Sequence, residues 1–512
     1  MCFMIAAGKN ATADGSTFVA RNCDSNSTEA QRIVSVPRMR HAPGEMIPIP
    51  DSKNMQVPQV EETYAYTAIL RIAPTDSYPM NAGGINEFQV SVGASTGGWV
   101  KEKVDELTPW PDTVIGDYTM TLTLERCKTA REAVEYLGKL TEEYGGRNDN
   151  YIVSDPDEVW MFEQYQGYHW AACRVPDDSF VVQGNMYRIG KIDPDDPDNY
   201  LCDPDLIPFA TKHGLWDPEN DEYFHATRAY STPDRNRPRG DIPQPYYSLH
   251  RVWRANMLLK PSAGLDMYEP SKEYPLFLEP DEKLTVGKVL EVLKDYYQGT
   301  ELDEYGPLDD KYTNIVDGET GHYRYSPAWC KSRILGCPQT VTSWVTQSRG
   351  WLPNEIGGVL WAGLAATASS PHIPFYAHNT RTPKMYQTGW SGDNSSYMPD
   401  SAYWLYENIG NLMNLFYQAT VDLVKPVWTD FDQRSFDQQQ VIEEAALKLY
   451  ERNPALAKEM LTTYSNGLAH EGIEAGRDML KKIYTRIALV NNPQTSRGYE
   501  NPKDWKNTGF IY

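Results

Sequence analysis

The sequence predicts an α+β protein, and three observations carry that prediction. Short apolar runs separated by tight-turn signals mark antiparallel strands in the first half of the chain. A capped amphipathic segment between them marks a helix, and a long Ala-, Leu-, Glu- and Lys-rich stretch near the C-terminus marks more helix.

The strands come first. Apolar residues 2–7 and 17–20 flank Ala13-Asp14-Gly15-Ser16, whose Asp-Gly pair is a strong hairpin signal, so Cys2 opens a strand. The pattern recurs at 152–154 and 159–162 around Asp155-Pro156-Asp157-Glu158, and again at 180–183. Thr129 with Glu132 forms a capping box, and Ala130, Ala133, Val134, Leu137 and Leu140 follow at helical spacing. Residues 191–245 hold Asp-Pro-Asp-Asp-Pro-Asp at 193–198 and read as long loops. Past Phe436 the segments 438–451 and 454–489 carry few β-branched residues and read as helices. No internal repeat is visible.

With 512 residues, 40% of them hydrophobic and 12% aromatic, the chain has ample material for a core and is not a disordered polymer. Its 48 basic against 70 acidic residues give a net charge of -22, which repels phosphate backbones and anionic lipid headgroups. Neither nucleic acid nor a membrane is expected as a partner. No apolar run approaches the ~20 residues of a spanning helix, and residues 359–368 are interrupted by Gly363. The apolar opening lacks a preceding basic region, so a cytoplasmic location is expected. Seven cysteines, at 2, 23, 127, 173, 202, 330 and 337, are too few and irregular for a disulfide framework and read as reduced thiols.

Cys2 is chemically distinctive. Removal of the initiator Met leaves a free α-amine on the residue that carries the thiol. An amine of pKa ~7.7 to 8.0 beside a thiol of ~8.5 can take its proton near neutrality. This is the N-terminal-residue form of nucleophile activation. The competing reading is a small buried hydrophobe that opens a strand. Arg21-Asn22-Cys23-Asp24, which the hairpin returns toward Cys2, favours the chemistry. Arg21 lowers the thiol pKa and Asp24 holds the ammonium; the alternative for the two is a surface ion pair.

Met1-Cys2, Asp14-Gly15-Ser16-Thr17 and Ala20-Arg21-Asn22-Cys23-Asp24 together resemble the opening of the bacterial C69 dipeptidases. These are N-terminal nucleophile hydrolases, related to penicillin V acylases and bile salt hydrolases. Gly83-Gly84-Ile85-Asn86-Glu87-Phe88-Gln89-Val90 is similar to a strand of that clan. The segments 165–176, 185–190, 248–254 and 351–358 resemble the dipeptidases in particular. The resemblance implies a four-layer αββα sandwich over residues 1–430, with 431–512 as a helical C-terminal extension packed on it. It implies Cys2 as nucleophile, Arg21 and Asp24 as positioning residues, Asn185 as oxyanion donor and Arg251 completing the charged network. A structural Asn before Tyr187 is the competing reading of Asn185, and Arg254 shares a helical face with Arg251. Ser95-Thr96 stands where the clan's amidases carry Asn, which leaves backbone N–H groups or the hydroxyl of Thr96, a substrate-binding candidate, as second oxyanion donor.

Nine His residues form no zinc pattern, the acidic 193–198 run does not match a calcium loop, and Gly83-Gly84 and Gly357-Gly358 lack a phosphate-loop Lys; the glycines read as turns or close backbone approach. Cys330 and Cys337 read as buried thiols. The expected enzyme is therefore a cysteine dipeptidase without cofactor or metal, acting on a small peptide, with N-acyl amide hydrolysis as the alternative and a homo-oligomer as the expected assembly. Aromatic clusters at 165–170 and 323–329 suggest the non-enzymatic alternative, carbohydrate binding, although such rings more often line cores.

Overall fold

The computed structural model describes residues 2–49, 55–71, 80–108, 115–231, 246–267, 274–303, 332–389 and 396–490. Cys330 and the cluster at 323–329 lie outside them. The strands are β1 (Cys2–Ala7), β2 (Thr17–Asp24), β3 (Arg32–Val36), β4 (Met39–Arg40), β5 (Met46–Pro48), β6 (Gln56–Pro58), β7 (Glu62–Thr63), β8 (Tyr66–Arg71), β9 (Met80–Asn86) and β10 (Ser91–Thr96). They continue as β11 (Asp149–Ser154), β12 (Val159–Gln164), β13 (Trp170–Val175), β14 (Phe180–Gln183), β15 (Tyr200–Cys202), β16 (Thr340–Ser348), β17 (Val359–Leu364) and β18 (Ile373–Tyr376). The helices are α1 (Glu102–Leu107), α2 (Tyr118–Arg126), α3 (Ala130–Tyr144), α4 (Leu206–Lys212), α5 (Ala226–Tyr230), α6 (Tyr246–Leu259), α7 (Val286–Leu293), α8 (Asn354–Gly357), α9 (Lys384–Gln387), α10 (Ala402–Leu415), α11 (Tyr417–Tyr450) and α12 (Pro454–Val490).

Two antiparallel sheets form the centre. One has the order β14-β1-β2-β16-β17-β18, the other β15-β13-β12-β11-β10-β9-β8-β3. They meet where β1 and β2 pack on β10 and β11. Helices α2 and α3 cover the outer face of the larger sheet, while α7, α10 and α12 cover that of the smaller. The layers are thus helix, sheet, sheet, helix, as expected. With a sheet on one face and helices on the other, every residue of β1 and β2 is buried, which explains why their apolar runs do not alternate.

The hairpin forms where the Asp-Gly signal lies. Gly15 takes φ +85°, and the Asp14 carboxylate accepts from the Ser16 N–H at 3.1 Å. Its register sets Cys2 opposite Cys23 and Ala7 opposite Phe18. In α3 the Thr129 hydroxyl accepts from the Glu132 N–H at 3.1 Å, whereas the Glu132 carboxylate reaches the Lys128 N–H, one residue before the usual capping-box partner. Between the sheets, the Trp344 indole occupies space that only glycine leaves open. A Cβ on Gly83 would stand 2.3 Å from it and one on Gly93 2.9 Å, so the first is close backbone approach rather than a turn.

Two expectations need correction. Residues 191–245 are not simply loop, since they contain β15, α4 and α5; residues 232–245 lie outside the described part. These elements are too short to show periodicity, and tertiary packing holds them: Leu206 and Ala210 are buried, and Tyr230 stacks on Tyr165 at 5.0 Å. Helix α11 also begins at Tyr417, well before Phe436. Its first turns carry β-branched and aromatic residues and Pro426, which mask the helical signal, while Val424, Trp428 and Phe431 are buried in the core. Residue 430 lies inside α11. The 165–170 rings are mostly core: Tyr165 and Trp170 are buried, and Tyr168 is half exposed. Cys337 is buried as expected.

Candidate active site

The site grows from the first hairpin. Alternation puts Arg21 and Cys23 on one face of β2, and the register puts Cys2 on that same face. Arg21 Nη2 donates to Cys2 Sγ at 3.1 Å, and its Nη1 donates to the Ala82 carbonyl at the start of β9. Both side chains are buried. The Cys2 thiol is held well below the ordinary range, first by a hydrogen bond from Cys23 and then by the Arg21 charge, against the opposing effect of burial. Cys23 is pushed up, by donating that bond and by burial, and keeps its proton. Burial pulls Arg21 down, but Cys2 and Cys23 beside it outweigh that and hold it above its ordinary value.

A second guanidinium closes the site from α6. Arg251 is fully buried; its Nη1 donates to the Cys2 carbonyl at 3.1 Å and its Nη2 to Asn185 Oδ1 at 2.9 Å. Asn185 Nδ2 in turn donates to the Thr96 carbonyl at 2.8 Å, and Ser248 Oγ donates to the Asn185 carbonyl at 3.1 Å. Cys2, Arg251, Asn185 and Thr96 therefore form one chain of hydrogen bonds across the two sheets. Arg254 takes no part in that chain: it forms a two-pronged pair with Asp295 at 2.9 and 2.8 Å. Thr96 joins through its main-chain carbonyl at the exposed end of β10.

Asp24 is brought to the edge of this group. It follows Cys23 in β2, so alternation turns its side chain to the opposite face. There its carboxylate accepts from Thr340 Oγ1 and from Arg333 Nη2, each at 2.6 Å.

Three participants were not singled out in the sequence. Cys23 carries no sequence signal of a role beyond a reduced thiol in the Arg-Asn-Cys-Asp run, although the hairpin register sets it opposite Cys2. Ser248 orients Asn185, and a hydroxyl at the start of a helix carries no signal of that role. Asp149 is the cross-strand neighbour of Thr96. Burial, then the Asp117 charge, push its carboxyl up to about 8, and Cys2 adds to the shift. The sequence around Asp149 carries no signal of this setting, because Asp117 and Cys2 are distant in the chain. Among the described residues no group of three or more His, Cys, Asp or Glu side chains is arranged to hold a metal.

Residues 1–430 match peptidase family C69. The chain belongs to this family. As a C69 member it is a peptide hydrolase, and the carbohydrate-binding alternative falls away. A probable dipeptidase of Latilactobacillus sakei is 28% identical over 498 residues, covering 94% of this chain and 95% of that protein. A probable dipeptidase of Salmonella dublin is 29% identical, covering 73% and 80%, and probable dipeptidase B of Lactococcus lactis is 29% identical, covering 82% and 83%. Among solved structures, penicillin V acylase from Agrobacterium tumefaciens is 12% identical, with 71% of this chain and 83% of that one covered and a TM-score of 0.30. No described helix of this C69 chain is long and apolar enough to cross a membrane.

Proposed function

We propose that this C69 chain is a cysteine dipeptidase whose nucleophile is Cys2, exposed as the first residue once Met1 is removed. The observation that carries the reading is the Arg21 guanidinium at 3.1 Å from Cys2 Sγ, in a buried setting where the charge favours thiolate. The relatives named as dipeptidases supply the substrate class, since most of their length is matched.

In the reaction, the α-amine of Cys2 takes the thiol proton and the thiolate attacks the peptide carbonyl. One Asn185 Nδ2 hydrogen is engaged by the Thr96 carbonyl, and the second is available to the developing oxyanion. Arg251 fixes Asn185 and the Cys2 carbonyl, so nucleophile and donor are held by one rigid group. The α-ammonium protonates the leaving amine, and water hydrolyses the thioester. Asp24, anchored by Arg333 and Thr340, positions the end of β2 next to that amine. Thr96 contributes through its main-chain carbonyl, which holds Asn185.

The test is release of free amino acids from unblocked dipeptides by the Met1-processed protein and its Cys2→Ala variant, with a bile-acid conjugate and penicillin V alongside. Dipeptide cleavage that disappears in Cys2→Ala is the expected result. Cleavage of the acyl amides alone would replace dipeptidase by acylase, and activity surviving in Cys2→Ala would remove Cys2 from its role.

A further inference from the structure

The β1–β2 register sets Cys2 directly opposite Cys23, and both thiols are buried, at 4% and 5% exposure. Directly opposed residues of an antiparallel pair have Cα atoms ~4.5 or ~5.5 Å apart, and a disulfide accepts Cα separations of ~4.4 to 6.8 Å. The backbone therefore already stands at bonding distance, and rotation of the two side chains brings the sulfurs together. The other described cysteines lack this relation within their ladder: Cys173 faces Tyr200, and Cys202 faces Ala171.

The two sulfurs also differ in reactivity in the way such a pair requires. Cys2 carries the Arg21 guanidinium at 3.1 Å, which favours the thiolate that attacks peroxides. Cys23 remains a thiol beside it, pushed up by its hydrogen bond to Cys2 and by burial. A site that admits a peptide carbonyl to Cys2 also admits a small peroxide.

The geometry points to a redox modification site: a hydroperoxide oxidises Cys2, and Cys23 captures it as a reversible cross-strand disulfide that switches hydrolysis off. In the first step the Cys2 thiolate attacks the O–O bond. The sulfur gains an S–O bond and is oxidised to sulfenic acid, and the peroxide is reduced to an alkoxide or hydroxide that takes a proton from water. In the second step Cys23 sulfur attacks Cys2 sulfur, the S–O bond breaks, and the hydroxyl leaves with the Cys23 proton as water. An external dithiol reverses the bond by exchange and returns both thiols. While the disulfide stands, Cys2 has no lone nucleophile to offer; it is also protected from further oxidation to sulfinic acid.

The experiment treats the Met1-processed enzyme with a few equivalents of hydrogen peroxide, then maps non-reduced peptides by mass spectrometry before and after dithiothreitol. The expected product is a Cys2–Cys23 linked peptide lighter by two hydrogens, formed as activity is lost and removed as activity returns. In Cys23→Ser and Cys23→Ala, dimedone labels Cys2 instead, and continued peroxide gives sulfinic acid that dithiothreitol does not reverse. Absence of the linked peptide from the wild-type protein, or equal recovery in wild type and both variants, overturns the proposal. The wild-type map needs no variant to fold, and it reads bond formation directly, so it stands apart from whether dipeptides are the substrates.

Discussion

Arg21 supplies the positive charge at the Cys2 thiol. That charge, after the Cys23 hydrogen bond, lowers the Cys2 thiol against burial, so replacing Arg21 by Met of similar length removes a stabiliser of the thiolate together with the bond to the Ala82 carbonyl. The acid limb of the kcat/KM profile should then move to higher pH in Arg21→Met, with activity near pH 6 falling ~10- to 100-fold and partly recovering in alkali. A uniform loss across the profile would show that Arg21 acts on folding rather than on the thiol. Asn185→Ala should cost ~10² to 10³ in kcat with little change in KM, because its free hydrogen meets the carbonyl only as charge develops; an equal rise in KM alone would assign Asn185 to substrate binding. Asp149 makes the opposite kind of prediction. Its folded pKa, about 8, lies above the ~3.9 of an unfolded Asp, so its contribution to stability is full below ~3.9 and is lost as pH rises through about 8. Asp149→Asn should therefore gain in Tm relative to the parent as pH climbs across that window; a difference that stays flat with pH rules the shift out.

At the scale of elements, local signals were readable and distant ones were not. The Asp-Gly turn gave β1, β2 and the return of Arg21 to Cys2, because a hairpin is determined by the few residues inside it. Helix α3 was legible for the same reason: cap and apolar stripe lie within one stretch. In contrast α4, α5 and the early turns of α11 depend on rings and aliphatic groups brought from elsewhere, and the choice of Arg251 over Arg254 depends on β1 lying beneath α6. The Gly83–Trp344 contact also joins segments far apart. It carries its own prediction: Gly83 sits at φ +122°, and a methyl there would stand 2.3 Å from the Trp344 ring. Gly83→Ala should lose about 3 kcal/mol in urea unfolding, from overpacking and from backbone strain together. Adding Trp344→Phe should restore part of that loss; if it restores nothing, the strain is in the backbone alone.

For the whole molecule the question is whether the C-terminal helices are an appendage or part of the catalytic body. Helix α11 runs unbroken through residue 430, where the family match ends. Arg349, at the end of β16, donates from both terminal nitrogens to Glu443 of α11 at 2.6 and 2.7 Å, with both residues buried. Gln439 of α11 donates to Gln347, which donates to Asp14 in the turn of the nucleophile hairpin. Asp432 of α11 takes Lys294, just past the end of α7, at 2.7 Å and the His372 N–H at 2.8 Å. Burial opposes ionisation of Asp432, but Lys294 and His372 outweigh it and hold the carboxyl at about 2. These ties reach both ends of the smaller sheet, so the helices and the hairpin should unfold together. Glu443→Ala strands a buried guanidinium and should cost ~3 to 5 kcal/mol. The measurement is urea unfolding followed by helix circular dichroism and by Trp fluorescence, with dipeptide hydrolysis read on the same samples. A single transition, shifted equally in both signals and in activity, is the expected outcome, and replacing both partners by Met should recover much of the loss. If Glu443→Ala instead melts helix first and leaves hydrolysis intact, the C-terminal segment is an independent layer and the Asp14–Gln347–Gln439 path carries nothing to Cys2.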